Sequence, residues 1–127
     1  MIIGIGTDII EIKRIKKAIE KNDRFLERIF SERERELFKS RKNNIFSIAA
    51  NFAGKEAVSK VFGTGIRNFN WAEIEILRDD LGKPYVVLSG GAKSISEVKN
   101  IDNILISLSH SKENAVAYAI GVNNKGE

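Results

Sequence analysis

The sequence predicts an α+β fold, with a mainly antiparallel sheet packed against a long central helix. Three observations carry this. A short apolar run opens the chain, helical periodicities fill residues 9–62, and period-two alternation returns after residue 72. The element order is strand, four helices, two strands, helix, two strands, in one domain spanning 1–127.

Residues 2–7 are apolar, contain Gly4 and Gly6, and are too short for a helix, so they form a strand ending near Asp8. The glycines serve close approach of another backbone or side chain. They are no dinucleotide fingerprint, because position 9 is Ile and no second βαβ unit follows. Ile12, Ile15 and Ile19 recur at helical spacing among Lys13, Arg14, Lys16 and Lys17, giving an amphipathic helix over 9–21. Asp23 caps a short helix through Phe30. Ser31-Glu32-Arg33-Glu34 has the capping-box pattern and starts a third helix ending near Lys39. A polar loop, 40–44, leads into the long helix 45–62, stopped by Gly63 and Gly65. Alternation over 72–78, a turn at 79–82 and a strand at 85–88 make one hairpin. A weak helix occupies 92–100, and 104–110 with 115–122 make the second hairpin.

At 127 residues and 43% hydrophobic, the chain has enough apolar material for a core. No apolar run approaches the roughly 20 residues of a membrane span. The N-terminus lacks a cationic region before its apolar residues and reaches Asp8 early, unlike a signal peptide. The expected setting is cytoplasmic. With no cysteine and one histidine, a bound metal is held by oxygen, which points to Mg²⁺ or Mn²⁺. The net charge of +4 is unevenly spread: residues 13–42 carry twelve Lys/Arg against six Asp/Glu, and the remainder is net negative. A positive helical face suits nucleic acid, an anionic membrane or an acidic protein.

Glu56 and Lys60 lie one turn apart on a helix face shared with Ala49, Phe52 and Ala53. Charges in an apolar arc need each other or an outside charge, so this pair is either an intrahelical salt bridge or a site. Lys55 and Ser59 point about a quarter-turn away, towards solvent or an anion. Asp8 reads either as an N-cap or as a hard-cation ligand; one Asp plus one Glu with substrate oxygens is a common Mg²⁺ set. His110 ends an apolar strand face and reads either as packed or as functional. Arg41, Lys42 and Lys83 are basic loop residues of the type a phosphate needs.

Taken together, these segments resemble the holo-acyl-carrier-protein synthases, the short branch of the 4'-phosphopantetheinyl transferase superfamily. The resemblance runs nearly end to end. It rests on Gly4-Ile5-Gly6-Thr7-Asp8-Ile9 with Arg14, and on Phe52-Ala53-Gly54-Lys55-Glu56-Ala57 with Ser59-Lys60. Phe62-Gly63-Thr64-Gly65-Ile66, Gly82-Lys83-Pro84-Tyr85 and Ser107-Leu108-Ser109-His110-Ser111 complete it. It implies the 4'-phosphopantetheinyl transferase-like fold and a reaction: transfer of phosphopantetheine from coenzyme A to a serine of apo acyl carrier protein, as in fatty acid biosynthesis, releasing adenosine 3',5'-bisphosphate. It also implies that Asp8 and Glu56 bind Mg²⁺, that Lys60 contacts the diphosphate, and that His110 lies near the same phosphates. Glu56, directly or through a water, is the candidate base. Ser59, Gly63, Lys83, Pro84, Arg41 and Lys42 join the candidate coenzyme A contacts. Arg14, Lys17 and Arg24, with Phe25 as apolar anchor, are the candidate docking residues for the acidic carrier protein. The family is similar to a cyclic homotrimer with shared sites. One departure is Asn51, where the family usually has arginine to help hold the nucleotide; Arg41 and Lys42 are the candidates to carry that load.

Two readings from other classes compete. A nucleic-acid-binding domain using 13–42 is disfavoured by the interleaved Glu20, Glu27, Glu32, Glu34 and Glu36 and by few aromatics. A catalytically idle interaction subunit has only Asn51 in its support. The expectation is neither nucleic-acid nor membrane binding.

Overall fold

The computed structural model describes residues 1–63 and 68–124. In chain order the elements are β1 (Ile2–Glu11), α1 (Ile12–Lys21), α2 (Phe25–Ile29), α3 (Glu32–Ser40) and α4 (Ile45–Phe62). After a 3₁₀ turn at Trp71–Glu73 come β2 (Ile74–Arg78), β3 (Pro84–Leu88), α5 (Gly90–Val98), β4 (Asn103–His110) and β5 (Asn114–Val122). The strands form two antiparallel sheets, one ordered β1-β5-β4 and the other β2-β3. The α+β class and the central long helix stand as expected. The sheet, however, is divided in two.

The main correction concerns β1, which does not end at Asp8. It pairs with β5 from Ile2 opposite Val122 to Glu11 opposite Asn114, so Asp8 sits within the ladder opposite Ala117. Helix α1 therefore starts at Ile12, not at residue 9. The residue before it is Glu11, whose side chain makes no cap, and the N-cap reading of Asp8 falls. Nor does Asp23 cap α2: the cap position is Arg24, whose N–H donates to the Asn22 side chain.

Ser31 and Glu34 do form the capping box: Glu34 N–H donates to Ser31 Oγ and Ser31 N–H to Glu34 Oε1. Helix α4 has its expected bounds. Asn44 caps it by accepting from Phe46 N–H, and Gly63 follows it at φ 113°. Gly65, the other expected stop, lies outside the described residues, as do Thr64 and Ile66.

Helix α4 is buried on nearly every side. Its C-terminal half, with Ala53, Ala57, Val58 and Val61, packs on the two sheets. Its N-terminal half, with Ile48, Ala49 and Ala50, packs on α1–α3 through Ile12, Phe30 and Phe38. At Gly54 the helix is wedged between sheets, with Ile76 of β2 and Leu108 of β4 both 3.3 Å from where a Cβ would stand. A helix so enclosed must satisfy any charge it carries internally.

Strand β2 departs from simple alternation, because Glu75 is buried along with Ile74, Ile76 and Leu77. Glu75 accepts from Arg33 Nη2 at 2.6 Å, Arg33 Nε at 3.1 Å and Ser31 Oγ at 2.6 Å. The Arg33 hydrogen bond leads in holding its carboxyl below the usual carboxylate range, against the opposing effect of burial. A depressed native pKa adds stability that is present above the unfolded pKa and lost as pH falls through the native one. Urea unfolding is therefore expected to weaken between about pH 5 and pH 3 more steeply in wild type than in Glu75→Gln. Parallel pH profiles would contradict this role for Glu75.

Candidate active site

Strand β1 is laid against α4 through its glycines. A Cβ at Gly4 would stand 2.6 Å from the Val61 carbonyl oxygen, and one at Gly6 would stand 2.0 Å from that of Ala57. Only glycine permits this approach. Two strand residues advance about 6.7 Å and four helix residues about 6 Å, so the next step along β1 brings Asp8 level with the turn carrying Glu56. Lys60 bridges the two elements: its Nζ donates to Thr7 O at 2.8 Å and to Asp8 Oδ1 at 3.3 Å. Lys60 thus pairs with a carboxylate of the neighbouring strand, Asp8. Nor is the arc closed over, since the Lys60 side chain is 48% exposed and Glu56 is half-buried. Burial pushes the Asp8 carboxyl above its usual range, and the Lys60 hydrogen bond and charge partly offset this. Ser59 is buried, and its hydroxyl donates to the Glu56 carbonyl at 2.7 Å.

Lys55 does not point to solvent. It is fully buried, with Nζ donating to Glu34 Oε1 at 2.5 Å, to Trp71 O at 2.9 Å and to Ile74 O. Glu34 Oε2 accepts from Asn51 Nδ2 at 3.1 Å and from Ile76 N–H at 3.3 Å. Burial pushes Glu34 up and Lys55 down, and the ion pair opposes both shifts. This network ties α3, α4 and β2 together behind the site.

A second group of candidates lines a cleft of about 380 Å³ on another side of α4. Arg41 from the end of α3, Lys83 and Pro84 from the β2–β3 turn, and His110 from the end of β4 all contribute to its wall. The turn is held by Asp79, whose Oδ1 accepts from Leu81 N–H and Lys83 N–H, each at 2.9 Å, with Gly82 at φ 86°. His110 stacks on Phe46, with ring centroids 4.8 Å apart, and Nδ1–H donates to Ser111 O at 3.3 Å. Lys42 does not line this cleft; it lies in a left-handed turn with Asn43, at φ 57° and 54°. Phe46 and Arg78 are cleft residues that the sequence reading did not single out. Arg78 carried a signal: it shares the register of Ile74 and Ile76 on β2, where a core-facing side chain is expected.

The cleft and the Asp8–Lys60 cluster lie at opposite edges of the β1-β5-β4 sheet, with α4 covering the ground between them. Asp8, Glu56 and Lys60 are not among the residues that line the cleft. Gly63 is half-buried at the C-terminal end of α4. Among the docking candidates, Arg14 and Lys17 are exposed on α1, and Arg24 is exposed beside Glu27 at 4.0 Å. Phe25 is half-buried, stacked on Phe52 at 6.2 Å. Among the described residues no cluster of three or more His, Cys, Asp or Glu could hold a metal, and no helix is long and apolar enough to cross a membrane. Asp8 of β1 and Glu56 of α4 offer two carboxylates, the kind of set that Mg²⁺ completes with substrate oxygens and water.

Residues 4–119 match the family model of the 4'-phosphopantetheinyl transferase superfamily. The holo-[acyl-carrier-protein] synthase of Alkaliphilus oremlandii (strain OhILAs) is 55% identical over 122 residues, covering 96% of this chain and 100% of its own length. Holo-[acyl-carrier-protein] synthase from Helicobacter pylori, solved in complex with coenzyme A, is 34% identical with a TM-score of 0.82, covering 93% of this chain and 99% of that one. The Bacillus anthracis str. Ames counterpart, in complex with coenzyme A (3',5'-ADP), is 40% identical with a TM-score of 0.79, covering 98% and 99%.

Proposed function

The chain belongs to the 4'-phosphopantetheinyl transferase superfamily, and on that premise we propose that it transfers 4'-phosphopantetheine from coenzyme A to a serine of apo acyl carrier protein in the cytoplasm. The observation that carries the reading is Lys60, one helical turn after Glu56 on α4, bridging to Asp8 of β1. The serine Oγ forms a bond to the phosphorus that bears the pantetheine. The bond from that phosphorus to the bridging oxygen breaks, and adenosine 3',5'-bisphosphate leaves with the electron pair. The serine proton passes to Glu56.

Asp8 and Glu56 are the residues that would hold Mg²⁺, which when bound neutralises charge on the diphosphate. Lys60 offsets the charge that builds on the departing bisphosphate, and His110 orients the same phosphates from its stack on Phe46. Arg41, Lys83 and Pro84 receive the nucleotide half. Gly63 and Ser59 shape the end of α4, and Lys42 adds positive charge nearby.

The separation of the two clusters across α4 supports a site completed by a neighbouring copy, as in a homotrimer. The face of the β1-β5-β4 sheet turned away from α4 supports the same assembly: Ile5, Ile9, Tyr118 and Leu105 are 69%, 67%, 55% and 52% exposed on it. The reading is tested by melting temperature. Coenzyme A with Mg²⁺ is expected to raise it, by roughly the increment that mass action gives for a ligand well above its Kd. No shift at millimolar coenzyme A would contradict it.

Arg14, Lys17 and Arg24 steer the acidic carrier protein, with the exposed part of Phe25 as an apolar contact. The Arg14→Glu, Lys17→Glu double variant is expected to raise KM for the carrier about tenfold at low salt with kcat nearly unchanged. The difference should shrink as salt screens it. A salt-independent loss of kcat would contradict a docking role.

A further inference from the structure

We propose that Arg78, held in place by Asn51, grips the 3'-phosphate monoester of coenzyme A in the cleft that it shares with Arg41. This rests on the transfer reading above.

Asn51 is fully buried in α4. Its Nδ2 donates to Glu34 Oε2 at 3.1 Å and to Ile76 O at 2.8 Å. Both acceptors lie on the amide's nitrogen side, so the orientation of the group is fixed. Oδ1 is thereby turned towards Arg78, whose Nη2 donates to it at 2.9 Å. The only other contact of that guanidinium among the described residues is a long one, Nη1 to Leu77 O at 3.3 Å. The remaining donors of the fork belong to a residue that lines the cleft.

The charge of the cleft favours an anion. Arg41 and Arg78 both line it, and among the described residues neither forms a salt bridge. Burial and then the facing charge of Arg41 push Arg78 down to about 10, and the more distant Glu34 offsets this only in part. Arg41 is held loosely, by a 3.4 Å contact to Ser47 Oγ. Two guanidiniums facing one cleft without a carboxylate suit a doubly charged oxyanion that can accept bidentate pairs, as a phosphate does. Coenzyme A offers two such groups. Its diphosphate belongs with Asp8, Glu56 and Lys60 in the transfer reading, which leaves the monoester for this cleft. Arg78 is then a specificity-determining contact, and Asn51 a positioning residue that aims it.

Calorimetric titration in Mg²⁺ with coenzyme A and with dephospho-coenzyme A, which lacks that monoester, tests this. Wild type is expected to prefer coenzyme A by about tenfold to a hundredfold, the range of a charge-assisted contact. Arg78→Gln should lower that preference to within about threefold while binding dephospho-coenzyme A as wild type does. Arg78→Lys, which keeps the charge without the fork, should fall between and stands in if the glutamine variant does not fold. A variant that keeps the full preference, or that weakens both ligands equally, would overturn the assignment. Wild type that binds neither ligand would instead overturn the transfer reading, and this inference with it. Wild type that binds both equally would overturn only the monoester contact.

Discussion

Glu34→Ala is expected to lower the unfolding free energy by about 3–5 kcal/mol, because it strands Lys55 as an uncompensated charge inside the protein. For a chain of this size that corresponds to a fall in melting temperature on the order of 10–20 °C. The Lys55 side chain is 1% exposed and that of Glu34 is 0%, so water cannot replace the lost partner. The same substitution removes the capping-box acceptor for Ser31 N–H and one of the two acceptors of Asn51 Nδ2. Lys55→Met is expected to be comparably damaging, since it leaves the Ile74 carbonyl without its Lys55 donor and Glu34 without its cation, while Trp71 O keeps only the Ile74 N–H. Chemical unfolding monitored by circular dichroism measures both. A loss under about 1 kcal/mol for either would mean that the network is not what joins α3, α4 and β2.

The second expectation separates chemistry from folding. Asp8→Asn and Glu56→Ala should each reduce kcat for phosphopantetheine transfer by about a thousandfold, the scale of losing a principal electrostatic contact in phosphoryl transfer. Neither should unfold the protein. Asp8 is held in the ladder by backbone pairing with Ala117, and Glu56 is half-buried rather than enclosed. Melting temperatures within a few degrees of wild type, with transfer slowed by about a thousandfold, are the expected pair of results. Lys60→Ala is expected to follow with a smaller loss, about a hundredfold, because its ammonium is exposed and screened by water.

The sequence carried much of this architecture because several of its signals are local. The Ser31–Glu34 capping box, the bounds of α4 and the turn at Asp79–Gly82 each depend on residues a few positions apart, and each appears as the pattern requires. What misled were non-local contacts. Nothing near Asp8 announces that β1 continues to Glu11; that depends on nine partners in β5, more than a hundred positions away. Helical spacing put Lys55 off the apolar arc, but α4 is enclosed on nearly all sides, and Glu34 is what makes the burial of that lysine tolerable. Arg78 was the legible residue that went unread, an arginine in the register of Ile74 and Ile76. The cleft itself could not be read, since its walls come from α3, α4, the β2–β3 turn and β4 and meet only through the topology.

Intact-mass spectrometry of apo acyl carrier protein incubated with the enzyme, coenzyme A and Mg²⁺ addresses the assignment of Asp8 and Glu56 most directly. Wild type should convert the carrier to a species heavier by one phosphopantetheine, and Glu56→Ala should leave it unmodified over the same interval. An unmodified carrier with wild type, or conversion by Glu56→Ala at the wild-type rate, would contradict the account.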